Sequence, residues 1–157
     1  MSLDLFAQWQ GLERNGQFRF TPPTHAILAF AHALRELRDE GGVTARADRY
    51  RLNHEALLSG MRGLGFREYL VPERQSHIIT AFRYPEGDAF VFEEFYRRLA
   101  EKGMVIYPGK LSRAKCFRIG TIGHISVEDL RTLVSTIRGV LGEMGVKLKG
   151  TLAINGL

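Results

Sequence analysis

Cysteine is almost absent: Cys116 is the single thiol in 157 residues. One thiol cannot close an internal disulfide, so a small disulfide-stapled fold is excluded and a reducing compartment is expected. Paired cysteines at metal-finger spacing are excluded by the same count. No apolar run approaches the roughly 18 residues that a membrane-spanning helix needs. The opening MSLDLFAQW lacks the basic, apolar and small-residue order of a secretory signal. A cytoplasmic protein without membrane contact is therefore expected. Lysine is scarce too: Lys102, Lys110, Lys115, Lys147 and Lys149 are the only ones, so the net charge of +5 rests mainly on arginine.

What is present is enough for one buried core, with 45% hydrophobic and 25% charged residues. Arginine is preferred over lysine where a planar fork must grip carboxylate or phosphate. Most of the basic residues, however, are interleaved with acids, as in RELRDE and EEFYRRLAEK, the pattern of solvated helix faces. The strands also lack the aromatic-rich signature of an RNA-binding sheet, so no nucleic-acid partner is expected.

Along the chain, LDLFAQWQGLERNG spaces Leu5, Trp9 and Leu12 for a helix that stops at Asn15-Gly16. In QFRFTPPTH, Pro22 and Pro23 remove two backbone donors and push Thr21 out of the helical region, which predicts an extended, exposed loop held by something outside itself. A second helix is predicted from Thr24, its N-cap, to Gly41-Gly42, its stop. A third runs from Val43 to Gly65 with Tyr50, Leu57, Leu58, Met61 and Leu64 as its buried stripe. The period then changes. FREYLV, HIITAFRY, MVIYPG and CFRIGTIG read as strands, VFEEFYRRLAEKG as a helix, and SVEDLRTLVSTIRGVLGEMG as a helix opened by a capping box of Ser126 and Asp129. This order predicts an α/β (α+β) fold with a small sheet covered on one side by helices. The ending KLKGTLAINGL has no apolar partner in sequence, and loose packing or disorder is expected there.

Few residues offer chemistry. The five histidines include His25 and His32 on one helix and the isolated His54, His77 and His124, with no HExxH pattern. Caps and half-buried packing account for them better than a metal site. Cys116 sits inside an apolar strand and reads as a buried, inert thiol. Gly120 and Gly123 could form a backbone nest for an anion, a weak signal. Arg118 is stronger, because it stands mid-strand between Phe117 and Ile119, which point to the other face. A lone arginine there needs an anion, and two sources remain open: Glu93, Glu94 or Glu101 on the covering helix, or a substrate's acid group. FRFTPPTH is both the start of an ordinary helix and a stiff, hydroxyl-bearing loop that could hold a phosphate; read from its residues alone, the helix start is favoured.

Taken together, FRFTPPTHAILAFAHALREL, MRGLGF, HIITAFRYP, FEEFYRRLAEKGMVIYPGKLS and CFRIGTIGHI resemble the C-terminal portion of class V aminotransferases of fold type I, over about Leu3 to Arg138. The resemblance points to the members that move an amino group from 2-aminoethylphosphonate to pyruvate, with the alanine:glyoxylate members next. It implies a homodimer using pyridoxal 5'-phosphate, with residues 1–42 as the end of a large domain and interdomain helix, 43–146 as a C-terminal small domain, and 147–157 as a tail. It also implies that Arg118 clamps the substrate's acid group and that Thr21 reaches the cofactor phosphate across the dimer.

Schiff-base chemistry needs a lysine to hold the cofactor aldehyde and an acid to keep the ring nitrogen protonated. None of the five lysines stands in the family's context, so no catalytic residue and no metal ligand is assigned, and an inactive fragment is expected. Lys115 departs from the polar or acidic residue expected before Cys116. Without a large domain, the apolar faces of Leu5, Trp9, Ile27, Leu28 and Phe30 lack a cover, which predicts self-association or partial disorder of the first forty or so residues.

Overall fold

A computed structural model describes residues 4–87, 89–108 and 114–148. The chain divides into two compact units, 1–43 and 44–157.

The first unit contains α1 (Leu5–Asn15) and α2 (Thr24–Asp39). Asp4 caps α1 by accepting from the Ala7 N–H at 2.9 Å. Gly16, at φ 71°, ends it by donating to the Leu12 carbonyl at 2.8 Å, the expected stop. The predicted cap of α2 is corrected. Pro23 occupies the cap position and accepts from the Ile27 N–H through its carbonyl at 3.0 Å, while Thr24 is already helical. Proline's fixed φ makes this start possible without a side-chain oxygen. The stop also shifts: α2 ends at Asp39, and Gly42 is the first residue of α3. The support expected for the two-proline loop comes from α1, where Gln8 Oε1 accepts from the Arg19 N–H at 3.2 Å. A Cβ on Gly11 would sit 3.1 Å from Arg19 Cγ, so the Arg19 side chain lies close over α1 there. Neither α1 nor α2 has a buried residue.

The second unit is built on α3 (Gly42–Leu64), β1 (Ile79–Arg83), α4 (Phe92–Glu101), β2 (Tyr107–Pro108), β3 (Cys116–Gly120) and α5 (Val127–Glu143), with a 3-10 turn at Pro72–Arg74. The three strands form an antiparallel sheet in the order β1-β3-β2. Two predicted strands shrink. FREYLV makes one isolated bridge, Glu68 to Phe82, and MVIYPG keeps two strand residues, because Pro108 has no N–H to extend a ladder. The capping box of α5 forms as predicted, with Asp129 N–H on Ser126 Oγ at 3.2 Å and Ser126 N–H on Asp129 Oδ2 at 2.7 Å. Those bonds hold the Asp129 carboxyl below its ordinary value.

Strand alternation sends Phe82, Phe117 and Ile119 into the core with Phe95, Leu99, Ile137 and Val140 from the helices. Phe117 is its centre: fully buried, it meets the rings of Phe66, Phe82, Tyr84, Phe90, Phe92 and Phe95 with centroids 5.4–6.4 Å apart. Aromatic pairs at such distances add about 0.5–1.5 kcal/mol each beyond burial. Of the predicted α3 stripe, Leu57 and Met61 are buried, Leu58 and Leu64 are half-buried against the core, and Tyr50 is half-buried outside it. Asn53 and His54 are buried as well, which apolar periodicity could not reveal. Gly60 lets α3 meet α5 closely, since a Cβ there would lie 2.6 Å from a Val134 methyl. At the start of the tail, Val146 and Leu148 are half-buried against the core; the tail from residue 149 lies outside the described residues.

Candidate functional site

Arg118 stands in the central strand, with its backbone paired to Ala81 on one side and Tyr107 on the other. Its neighbours Phe117 and Ile119 are 0% and 2% exposed, whereas Arg118 is half-exposed, on the other side of the pleat. Ladder bonds on both edges fix where its Cα sits. Its Nε–H donates to the Pro108 carbonyl at 3.3 Å, which orients the guanidinium and leaves its terminal N–H groups without a protein acceptor among the described residues.

The internal partners weighed for Arg118 are engaged elsewhere. Glu94 receives Arg97 and Arg98, and Glu101 receives Arg97. Those two guanidiniums hold the Glu94 carboxyl down to about 2. Arg98 also reaches Glu143 on α5, which Lys102 meets at 3.1 Å, and together these draw the Glu143 carboxyl down. Glu93 makes no ion pair with Arg118 among the described residues. Glu94 and Glu101 thus pair along α4, Arg98 and Lys102 tie α4 to Glu143 of α5, and the fork of Arg118 meets no carboxylate among the described residues.

Thr21 lies in the first unit, in the exposed loop before α2, and its hydroxyl has no protein partner among the described residues. Arg19 stands over the Phe20 ring at 5.3 Å and helps to stiffen the approach to it. Each of the two anion-holding candidates is thus positioned by its own local structure, Arg118 by a central strand and Thr21 by two prolines.

The other candidates resolve separately. Cys116 is a buried free thiol. Gly123, at φ 102°, turns the chain after β3, and its carbonyl accepts from Arg49. His32 lies beside Glu36 at 3.4 Å on the exposed side of α2. The His54 and His77 rings meet tilted by 37° with centroids 5.3 Å apart, a pairing that sequence spacing did not signal. Burial first, and His77 second, lower the affinity of His54 for a proton, and its Nε2 is buried without a partner. No group of three or more metal-ligating side chains occurs among the described residues. No helix among them is long and apolar enough to cross a membrane.

The fold is that of the fold type I aminotransferases. Over 88% of its length the chain superposes on alanine–glyoxylate aminotransferase from Nostoc sp. with a TM-score of 0.75 at 23% identity, covering 36% of that chain. Pyridoxamine-pyruvate aminotransferase from Mesorhizobium loti gives a TM-score of 0.75 at 24% identity, covering 87% of this chain and 35% of the other. Ureidoglycine-glyoxylate aminotransferase from Bacillus subtilis gives 0.74 at 22%, covering 93% and 38%. At these identities the likeness speaks for the fold.

Sequence goes further. The chain is 55% identical over 139 residues to 2-aminoethylphosphonate–pyruvate transaminases of Salmonella schwarzengrund and Salmonella agona, a match that takes in 88% of this chain. It spans 38% of the length of those curated relatives, and its likeness is to a C-terminal portion of them. No family model matches the chain.

Proposed function

We propose that this chain supplies the acid-gripping part of a pyridoxal-phosphate-dependent transaminase that moves the amino group of 2-aminoethylphosphonate to pyruvate, giving phosphonoacetaldehyde and L-alanine. In this reading the enzyme is a cytoplasmic homodimer, Arg118 grips the phosphonate or carboxylate, and Thr21 meets the cofactor phosphate of the other subunit. The observation that carries it is the half-exposed Arg118 on β3, oriented by Pro108 and without a carboxylate partner among the described residues. A guanidinium fork matches both acid groups geometrically, and binding them orients the rest of the substrate. The 55% identity favours the phosphonate donor over the alanine–glyoxylate reaction, to which the likeness is one of fold.

The cofactor fits this chain in part. When bound, pyridoxal phosphate supplies an electron sink for the substrate's carbanion. The free hydroxyl of Thr21 suits one phosphate oxygen. A lysine for the aldehyde is not apparent: Lys102 is engaged with Glu143, and neither Lys115 nor Lys147 lies in a context that resembles the family's. No chemical step is assigned here, and the chain alone is inactive in this reading.

The test is an assay of the pure chain with pyridoxal phosphate, 2-aminoethylphosphonate and pyruvate, followed by addition of a separately expressed upstream polypeptide of a related transaminase. The expected result is no alanine from the chain alone, alanine after complementation, and loss of that recovered activity by about 100-fold with Arg118→Gln, the scale of a charge-assisted pair removed from a bound acid. Turnover by the chain alone would sink the inactivity, and undiminished complementation by Arg118→Gln would sink the role of that residue.

A further inference from the structure

Most arginines on the helices of the second unit are answered by acids nearby: Arg51 by Asp48 and Glu55, Arg62 by Glu68, Arg97 and Arg98 by Glu94, and Arg131 by Glu128. Of the cations without such a partner among the described residues, three share one place. Arg67 follows α3, Arg83 ends β1, and Lys147 follows α5; none has an ion pair among the described residues. All three line one cleft of about 530 Å³. They come from segments far apart in sequence, so the fold gathers them. Arg83 is held in place by the Tyr69 ring, 4.8 Å from its guanidinium carbon, a contact that leaves its N–H groups unspent. Glu86 is the one carboxylate among the described lining residues, against three cations. Tyr84 and Leu148 give the cleft an apolar wall.

Gathering like charges around a concavity raises its potential and concentrates counter-ions of opposite sign. The volume lies within the range of small-ligand sites, about 300–1,000 Å³. Two guanidiniums and one ammonium match a doubly charged oxyanion, and the wall matches an apolar body attached to it. We propose that this cleft binds a small organic dianion, an acid group of phosphate type carried on an apolar or aromatic body. Arg118 does not line it, so the proposal does not rest on the transaminase reading.

The experiment is titration of phenyl phosphate into the full chain, followed by calorimetry and by the amide signals of Gly65 and Gly87, which also line the cleft. Saturable binding is expected, weakened about tenfold by Arg67→Gln and by Lys147→Gln, the scale of one lost charge-assisted hydrogen bond. Arg74→Gln, at an exposed arginine that does not line the cleft, is expected to leave it unchanged, and inorganic phosphate to bind more weakly than phenyl phosphate. The two substituted side chains in the cleft are exposed, and circular dichroism verifies that each variant keeps its fold. Absence of saturable binding, or binding lost with Arg74→Gln and kept with Arg67→Gln, overturns the proposal. Equal affinity for inorganic phosphate overturns its apolar part.

Discussion

The two units of this chain are both rich in large apolar residues and treat them in opposite ways. In residues 44–157, Phe82, Phe95 and Phe117 are fully buried around one sheet. In residues 1–43, α1 and α2 bury nothing completely, and Leu5, Phe6, Trp9, Leu28 and Phe30 are 54–82% exposed. A sheet with covering helices can close on itself, whereas two short helices offer each other too little area to shield a stripe on both. Helices of this length also gain most of their stability from tertiary packing. The difference teaches that the second unit carries its own stability, while the first presents apolar surface of the kind that marks an interaction face.

The contrast can be broken most severely at its centre. Phe117→Ala removes the ring that six others meet, and is expected to cost about 3–5 kcal/mol, read as a fall in the denaturant midpoint of the sheet unit. A loss below about 1 kcal/mol, the size of an ordinary substitution, would mean that the core is not organised around it. Gly60→Val comes next. Added methyls would drive into Val134, and about 1–3 kcal/mol should be lost by the same measure; a neutral result would mean that α3 and α5 do not approach so closely.

A smaller effect separates the units by pH. His54 belongs to the sheet unit, and its proton affinity is lowered in the folded state, first by burial and then by His77, with Glu68 and Glu55 opposing and Arg62 assisting. The unfolded chain therefore takes up a proton first as pH falls. The contribution of His54 is fully present above its unfolded value near 6.5 and is lost as pH drops through the lower folded value. Unfolding followed by near-ultraviolet dichroism between pH 7.5 and 5, roughly one unit either side of that ordinary value, should show this decline, and His54→Gln should flatten it. The same slope in both proteins would assign it to other groups. The smallest effect on stability belongs to the first unit: Leu28→Ser at an exposed position should change unfolding by less than about 0.5 kcal/mol while reducing self-association in light scattering. A well-ordered monomer with unaltered scattering would remove the idea that this surface seeks a partner.

Much of this was legible along the chain. The helical periods of α1 to α5, the Asn15-Gly16 stop and the Ser126–Asp129 box are local devices, and each requires only neighbours within about a turn to form. CFRIG announced its arginine because alternation puts Phe117 and Ile119 on one face and Arg118 on the other. Whether an acid of α4 reaches Arg118 was not legible, since that depends on how the helix lies on the sheet and not on the local spacing that pairs Glu94 and Glu101 with Arg97 and Arg98. Nor was the contact of His54 with His77, which needs α3 laid against the approach to β1. FREYLV looked like a strand by composition, and yet forms a single bridge, because β propensity describes fit to a neighbour and only Phe82 supplies one.

By itself, then, the sequence determined the helices, the Asn15-Gly16 stop and the Ser126–Asp129 cap, many aromatic and aliphatic positions of the core, and the family likeness that singles out Arg118 and Thr21. Only the tertiary structure decided which charges meet across elements and which have no ion pair among the described residues. The pairing of Arg98 and Lys102 with Glu143 and the cleft of Arg67, Arg83 and Lys147 join segments far apart in the chain. Their energies depend on distance and burial, which composition and spacing do not contain.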